Sequence, residues 1–339
     1  MQGDYLVQAS ALRGFEDVVA ELGGDPDALL RRQGLGGVGP DPAHWISYRA
    51  WLHLLDDSAR ALDCPHFGLL LSARQDIGVL GVLGFMVRRA PDVRTALREL
   101  GTYFNHHNQG ATISLRVEDD IYRWEFAPRP GLDAPLRHQS DLVAGISVKF
   151  MRLLVGSWRP LAIYLPHSAP ADTRPYRERF DCPVHFDWDS TIIASDARFL
   201  DHPLTEADPE VHRILEDQVR ELKSSFPDDF PGLIRHLIRQ GLTTGDCSIE
   251  RVADYLAINK RTLQRRLRQA GTGYRELLDT VRFEIARNYL RESQGSLTAL
   301  SDMLCYSELS AFSNAFNRHF GMSPRQWAKT QASAPPGAP

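Results

Sequence analysis

Hydrophobic and polar positions change their spacing along this 339-residue chain, and the change separates two regions. In the first region, apolar residues three and four apart predict helical segments at 10–33, 46–74, 92–108 and 136–156. Alternating or short apolar runs predict strands at 111–118, 121–127, 160–167, 183–187 and 191–195. The first two strands flank an Asp119-Asp120 turn and should form a hairpin. Helices with one small sheet make residues 1–205 an α+β domain.

The second region contains only helical patterns. SIERVADYLAINKRTLQRRLRQAG, residues 248–271, predicts a helix, a tight turn and a second helix. Ser248 is a good N-cap residue, and the first helix has an apolar face made by Ile249, Val252, Ala253 and Leu256. Ala253 is small, as required where two steeply crossing helices approach each other. This combination is typical of a helix-turn-helix motif (HTH).

The second helix, over about 260–269, has two contrasting faces. One narrow stripe is apolar and consists of Leu263, Leu267 and Ala270. Another side carries four cations and one amide: Lys260, Arg261, Gln264, Arg265 and Arg268. Arginine suits guanine, glutamine suits adenine, and lysine suits phosphate. An ordinary solvated face usually mixes both charges, yet residues 255–275 contain no Asp or Glu, so we favour a helix that reads the DNA major groove.

The same pattern recurs about fifty residues later, in SLTALSDMLCYSELSAFSNAFNRHFG, residues 296–321. Residues 274–292 lie between the two copies and also show helical spacing. Nineteen residues at ~1.5 Å each give a spacer of roughly 28 Å, close to the ~34 Å of one DNA turn. Two recognition helices could therefore enter successive major grooves on one face of DNA.

Residues 246–330, including the closing GMSPRQW, resemble the double-HTH DNA-binding domain of the arabinose-regulator (AraC/XylS) transcription factors. The resemblance implies that base contacts cluster at the start of each second helix. In the first HTH the implied positions are Arg261, Gln264 and Arg265. In the second HTH they are Leu309, Ser310, Ala311 and Asn314. The all-α C-terminal domain is thus expected to hold two HTH motifs joined by a long helix.

The second HTH departs from the family pattern at three positions. Ser301, Cys305 and Asn314 stand where the family usually has Ala, Gly and Arg. A glycine at the turn matters if that residue needs a positive φ. Without the usual arginine, Arg318 is the only Lys or Arg on that helix. We therefore expect the first HTH to supply most phosphate attraction, while Leu309 or Ala311 contacts thymine methyl groups.

Charge is distributed unevenly, although the whole chain has a net charge of −4. Residues 246–330 contain 13 Lys and Arg against 9 Asp and Glu, whereas the remainder contains 26 against 34. An acidic region therefore adjoins a basic one. We expect the acidic region not to bind DNA and to disfavour non-specific association with it.

The composition also bears on location and on covalent chemistry. No stretch reaches the ~18 consecutive apolar residues of a membrane helix, and the N-terminus lacks a basic segment before an apolar run. We expect a cytoplasmic protein with no membrane partner. Its four cysteines are scattered without the spacing of a metal site, so reduced thiols, no metal and no cofactor are expected.

Most of residues 10–212 resemble the arabinose-binding-like sensor domain of a subgroup of the same family, which includes ornithine-utilisation and virulence regulators. The segments that carry the resemblance include LDCPHFGLLLS, SWRPLAIYLPHSAP and YRERFDCPVHF. The resemblance implies a domain that binds a small effector or mediates dimerisation. An amino acid, a fatty acid or another small acid are the effector classes considered. The candidate effector-binding residues are Tyr103, His106, His107, Arg123 and Trp124. The alternative is that these are an exposed helix end and a core tryptophan.

No phosphate-binding loop, nucleophile elbow or HExxH motif occurs, and adjacent acidic pairs point apart on regular elements, so the chain is not expected to be an enzyme. The sequence predicts a sequence-specific DNA-binding transcription regulator, controlled by an effector and working as a homodimer that contacts RNA polymerase if it activates. Two alternatives stay open: a ligand-independent dimeric regulator, and an interaction protein that has lost DNA binding. The predicted domains are 1–205 for sensing and dimerisation, 206–245 for a helix and linker, 246–330 for DNA binding, and 331–339 as a disordered tail.

Overall fold

Segments with helical spacing fold as helices in this protein, and the alternating segments assemble into one sheet. The structure, a computed structural model, describes residues 5–225, 230–256, 258, 260–292 and 296–332. Two compact units are present, one extending to Ser224 and the other beginning at Ser225. They are called the N-terminal and C-terminal units below.

The N-terminal unit is α+β, as predicted. Its helices are α1 (Phe15–Glu21), α2 (Pro26–Arg32), α3 (Tyr48–Ala61), α4 (Phe67–Arg74), α5 (Val82–Arg88), α6 (Val93–Tyr103), α7 (Arg137–Val155), α8 (Arg174–Phe180) and α9 (Pro209–Ser225). Its strands are β1 (Leu6–Gln8), β2 (Trp45–Ser47), β3 (Ala111–Glu118), β4 (Ile121–Pro128), β5 (Ala162–Tyr164), β6 (Val184–His185) and β7 (Thr191–Asp196). The antiparallel β1–β2 ribbon was not predicted, because three-residue strands show too little alternation to be recognised.

The main sheet has the strand order β3-β4-β7-β5-β6, and only the β5–β6 pair is parallel. The predicted hairpin is confirmed, with Glu118 paired to Ile121 at its tip. Strand β4 alternates strictly: Tyr122, Trp124 and Phe126 are buried. Strand β5 is shorter than the predicted 160–167, since prolines near both ends of that run cannot donate to a strand ladder.

Helices α4 and α7 approach each other so closely that glycine is needed at their contact. A Cβ placed on Gly68 of α4 would lie 2.1 Å from the carbonyl oxygen of His138 on α7. A Cβ on Gly145 of α7 would lie 2.1 Å from the Ser72 hydroxyl of α4. The two missing side chains therefore set the distance between these helices.

A polar network connects α7 to the elements that follow it. The fully buried Asp141 carboxylate lies 3.0 Å from His167 Nε2 and accepts a 3.0 Å hydrogen bond from the Tyr176 hydroxyl. Both nitrogens of His167 face acceptors, because Nδ1 lies 3.1 Å from the Ser168 carbonyl oxygen. These contacts provide the buried carboxylate with partners and connect α7 to the segments that carry His167 and Tyr176.

The C-terminal unit is entirely helical in its described residues. Its helices are α10 (Phe230–Thr244), α11 (Ile249–Tyr255), α12 (Lys260–Gln269), α13 (Tyr274–Glu292), α14 (Leu297–Met303), α15 (Leu309–Phe320) and α16 (Pro324–Ala332). Helix α10 packs against α11, α12 and α13. The predicted helix at 260–269 and the predicted spacer at 274–292 have the bounds of α12 and α13.

Two predicted segments, the linker and the tail, overlap helices of the structure. Residues 206–245, interpreted as a helix and a linker, contain the whole of α9 and of α10. Of the two prolines assigned to the linker, Pro231 lies inside α10, and Pro227 lies outside the described residues. The predicted tail 331–339 begins within the last turn of α16, and residues 333–339 also lie outside the described part. The domain bounds themselves stay a prediction.

No described helix combines the length and the apolar character that crossing a membrane requires.

Replacing Gly68 by Ala should destabilise the N-terminal unit by about 3 kcal/mol, because the new methyl group meets backbone that cannot move independently of α7. Urea unfolding followed by tryptophan fluorescence measures this change. Gly39→Ala is the matched control, since a Cβ there meets nothing within 4 Å. Equal stability of the two variants would contradict the close approach of α4 and α7.

Candidate functional site

The first HTH motif consists of α11 and α12, and its start is fixed by a side-chain cap. The Ser248 hydroxyl accepts a hydrogen bond from the Arg251 backbone N–H at 3.2 Å, as the sequence predicted. Val252 and Ala253 are buried, and the Ala253 carbonyl accepts a 3.0 Å hydrogen bond from the Ile258 N–H in the turn. Ala253 is therefore buried next to the turn, and its place at a close contact between the two helices stays a prediction.

Helix α12 separates apolar from charged side chains along its length. Leu263 and Leu267 are fully buried. All five side chains predicted to face DNA are exposed, namely Lys260, Arg261, Gln264, Arg265 and Arg268. The structure therefore brings these residues together on the solvent side of one helix.

Two cations in this motif have partners that the spacing of the sequence did not reveal. Lys260 Nζ lies 2.5 Å from a carboxylate oxygen of Glu250 on α11, and this ion pair lowers the pKa of Glu250. Arg266 is buried, with its guanidinium 5.2 Å from the centre of the Phe230 ring on α10. Lys260 is therefore partly neutralised, and Arg266 packs on α10 rather than belonging to the exposed face.

The second HTH motif consists of α14 and α15 and begins with a Ser296 cap, whose hydroxyl accepts from the Thr298 N–H at 3.2 Å. Cys305, in the turn, has a φ of 55°. The position does need a positive φ, which a non-glycine residue adopts at some cost in strain. Ser301 is fully buried at the position where the family usually has Ala.

Helix α15 presents a face of a different chemical character. Ser310, Asn314 and Arg318 are exposed and follow each other at intervals of four residues along one stripe. Leu309 and Ala311 are only partly exposed, and Leu309 packs against the core around Phe312 and Phe316. Part of the predicted thymine-methyl contact surface is therefore occupied in packing.

Arg282 on α13 connects the two HTH motifs, a role that the sequence reasoning missed. Its Nη2 donates a 2.9 Å hydrogen bond to the Cys305 carbonyl and lies 3.8 Å from Cys247 Sγ, next to the cap of α11. The guanidinium also stacks on the Tyr306 ring at 4.2 Å. The only sequence signal was an arginine beside apolar positions of the spacer, which is common on surface helices.

The cysteines of this junction are free thiols in the structure. Burial raises the pKa of the Cys305 thiol, and the neighbouring Cys247 raises it further. The thiol form is therefore favoured, which lowers the reactivity of Cys305 toward oxidants.

The N-terminal unit contains a cavity, and only some of the predicted effector-binding residues line it. His107 and Trp124 line it, whereas Tyr103, His106 and Arg123 do not. Arg123 follows Tyr122 on β4 and therefore points to the opposite face from Trp124, where it forms a 2.5 Å ion pair with Glu118. The expected pairing of Arg123 with Trp124 around one ligand is thus not found.

The helix end at 103–108 is also more buried than expected for an exposed terminus. Tyr103 is buried and hydrogen-bonds to Arg220 on α9, while its ring lies 6.4 Å from that of His106. Burial lowers the pKa of His107 to about 4, so its imidazole is neutral at pH 7. Tyr103 thus contributes to holding α9, and His107 contributes an uncharged wall to the cavity.

One cluster of possible metal ligands occurs among the described residues: Glu99, His212 and Glu216. His212 Nε2 lies 2.9 Å from a carboxylate oxygen of Glu99, and Glu216 forms a 2.5 Å ion pair with Arg220. The His212–Glu99 contact joins α9 to α6, whereas the Glu216–Arg220 ion pair lies within α9.

Known protein families match both the N-terminal α+β region and the C-terminal helical region of this chain. Residues 23–204 match the family model for the arabinose-binding domain of AraC transcription regulators, and residues 252–330 match a helix-turn-helix domain model. The HTH-type transcriptional regulator VirS of Mycobacterium tuberculosis is 32% identical over 336 residues, which cover 96% of this chain and 97% of that protein. The Ornithine utilization regulator of Pseudomonas aeruginosa is 24% identical over 95% of this chain and 96% of its own.

Among solved structures, the transcriptional regulator CdpR from Pseudomonas aeruginosa matches 80% of this chain and 91% of its own, with 24% identity and a TM-score of 0.40. The similar curated proteins are transcription regulators and not enzymes, in agreement with the prediction from the sequence. The family model and the similarity to VirS along nearly the whole chain confirm the family resemblance. The chain belongs to the AraC family of DNA-binding transcription regulators.

Proposed function

We propose that this regulator reads one asymmetric DNA site with both HTH motifs and that the first motif supplies most of the affinity. The observation that carries the proposal is the contrast between the exposed faces of α12 and α15. Arg261, Gln264, Arg265 and Arg268 extend along α12, whereas the stripe on α15 holds a serine, an asparagine and one arginine. Arginine and glutamine make the bidentate base contacts with the largest discrimination.

The spacing of the two recognition helices depends on α13. A helix of 19 residues spans roughly 28 Å, which approaches the ~34 Å between equivalent points of successive major grooves. The Arg282 contacts with both motifs support a fixed arrangement rather than two independently moving heads. Fixed spacing lowers the entropy lost when the second helix enters its groove.

We further propose that the N-terminal unit binds a small effector and dimerises the protein in the cytoplasm, where bacterial DNA is located. The cavity beside His107 and Trp124 supports effector binding. The effector would favour one arrangement of the dimer over another, and so change DNA occupancy by shifting a population. RNA polymerase is the expected partner if the regulator activates.

Selection of bound sequences from random duplex DNA, with the full chain, tests the proposal. One asymmetric site with two elements about a turn apart is the expected result. Recovery only of paired sites would indicate that dimerisation supplies essential affinity. Failure to select any sequence, with and without candidate effectors, would favour an interaction protein that has lost DNA binding.

Replacing both Gln264 and Arg265 by Ala should reduce affinity for the selected site roughly thirtyfold or more, because each bidentate contact contributes about 1–3 kcal/mol of discrimination. Asn314→Ala should weaken binding less than tenfold. Fluorescence anisotropy at fixed salt measures both changes, since affinity for DNA depends steeply on ionic strength. Equal losses in the two variants would refute the asymmetry between the motifs.

Arg282→Met should weaken binding to the two-element site about tenfold while affecting a single element little, because it removes the contacts that fix the relative position of the motifs. Arg287→Met is the matched control, as an exposed arginine on the same helix with the same loss of charge. Binding to one-element and two-element duplexes is compared by anisotropy. If both variants lose affinity equally, Arg282 acts only through its charge.

A further inference from the structure

The cavity in the N-terminal unit defines the chemistry of its occupant more narrowly than the sequence did. It has a volume of about 80 Å³ and lies between α7 and the β3–β4 hairpin. One face of α7 contributes Val143, Ile146, Ser147 and Phe150, and β4 contributes Trp124 and Phe126. The α7 residues recur at helical spacing, so a single helix face forms one wall of the cavity.

The size of the cavity limits the ligand to a small molecule. A volume of about 80 Å³ is several times the ~10–15 Å³ that a single water molecule needs, so a small molecule can enter. A second void of about 20 Å³ shares Trp124, Ser147 and Phe150 with the first. Even together, the two voids are too small for a long-chain fatty acid in this conformation.

The lining excludes a charged ligand. Of the described residues that line the cavity, none is Lys, Arg, Asp or Glu, and its single histidine, His107, is neutral because burial lowers its pKa to about 4. Transfer of a carboxylate or an ammonium group into such a site, without a counter-charge, is strongly unfavourable. An amino acid or a small acid therefore has nothing in this cavity to compensate its desolvation.

Two polar side chains of the lining, those of Gln75 and Gln139, already have partners within the protein. Gln75 Nε2 donates to the Ala11 and Arg13 carbonyls, at 2.7 and 2.9 Å. Gln139 Oε1 accepts a 2.7 Å hydrogen bond from the Trp51 indole. These hydrogen bonds hold the polar walls in place and leave an interior that is largely apolar.

Trp124 lines both voids, but its indole N–H does not face them. The nitrogen is buried with almost no accessible surface and has no acceptor among the described residues. A ligand in the cavity therefore meets an apolar surface of Trp124, in keeping with the rest of the lining.

We propose that this cavity is the effector site and that its ligand is a small, uncharged, mostly apolar molecule. The inference rests on the proposed function of the N-terminal unit as a sensor. It disfavours the amino acids, fatty acids and small acids that the sequence left open. Contact with α7 links occupancy of the cavity to the helix whose position the Gly68 contact fixes.

A series of probes with nearly the same shape tests the proposal on the full chain. Cyclohexanone carries an acceptor and no charge, methylenecyclohexane has neither, cyclohexylammonium is a cation, and cyclopentanecarboxylate is an anion. Thermal unfolding is recorded with each probe, because a ligand of the native state raises Tm. We expect both uncharged probes, cyclohexanone and methylenecyclohexane, to raise Tm by roughly 3 °C at ten times their Kd, and both ions to leave Tm unchanged.

Two variants assign binding to the cavity. Val143→Phe should fill the space and abolish the effect of both uncharged probes. The control Leu153→Phe lies on the same helix but at a side chain that is 57% exposed, and should leave binding unchanged. Equal binding by the two variants would show that the probes bind elsewhere.

The outcomes separate this inference from the proposed function. A Tm increase from an ion that Val143→Phe removes would overturn the ligand class and leave effector control standing. Absence of any response to all four probes would overturn the assignment of the cavity as a site for such molecules. DNA affinity is measured in parallel on the selected site, with and without cyclohexanone. Loss of DNA binding in every condition counts against the regulator function and not against the ligand class.

Discussion

Helix α13 has to serve two HTH motifs at once, and the geometry of the C-terminal unit depends on that requirement. Its Phe283, Ala286 and Leu290 belong to the core of the second motif, while the helix also packs against α10, which supports α11 and α12. Arg282 adds polar contacts to the turn of one motif and the start of the other. A helix buried on several sides cannot rotate freely, so the two recognition helices are held by one rigid element.

The two motifs use the same scaffold for different chemistry. Both begin with a capped helix, and both bury two large apolar residues from their second helix, Leu263 and Leu267 in one and Phe312 and Phe316 in the other. The exposed faces differ, because side chains pointing to solvent are under no packing constraint. Variation on these faces alters recognition with little effect on the fold.

In the N-terminal unit, the residues that line the proposed effector site belong to the core rather than to an exposed face. Helix α7 meets α4 at glycine contacts, carries the buried Asp141 that pairs with His167, and forms one wall of the cavity. Its residues are therefore constrained on several sides. Alternation along β4 explains why Trp124 reaches the cavity and Arg123 does not, since neighbouring residues of a strand project to opposite faces.

Local sequence patterns were sufficient to predict many of the helices and strands of this protein. The hairpin, the long helix α7, the Ser248 cap and the exposed face of α12 all follow from spacing and capping over fewer than twenty residues, where neighbours in sequence are neighbours in space. The β1–β2 ribbon, the Lys260–Glu250 ion pair, the role of Arg282 and the lining of the cavity were decided only by the tertiary structure. Each of these joins residues from separate elements, and the spacing of residues within one element holds no information about which side chain of another will face them. The sequence alone thus determined the elements and the family of regulator, while packing determined which polar groups meet and what the cavity can hold.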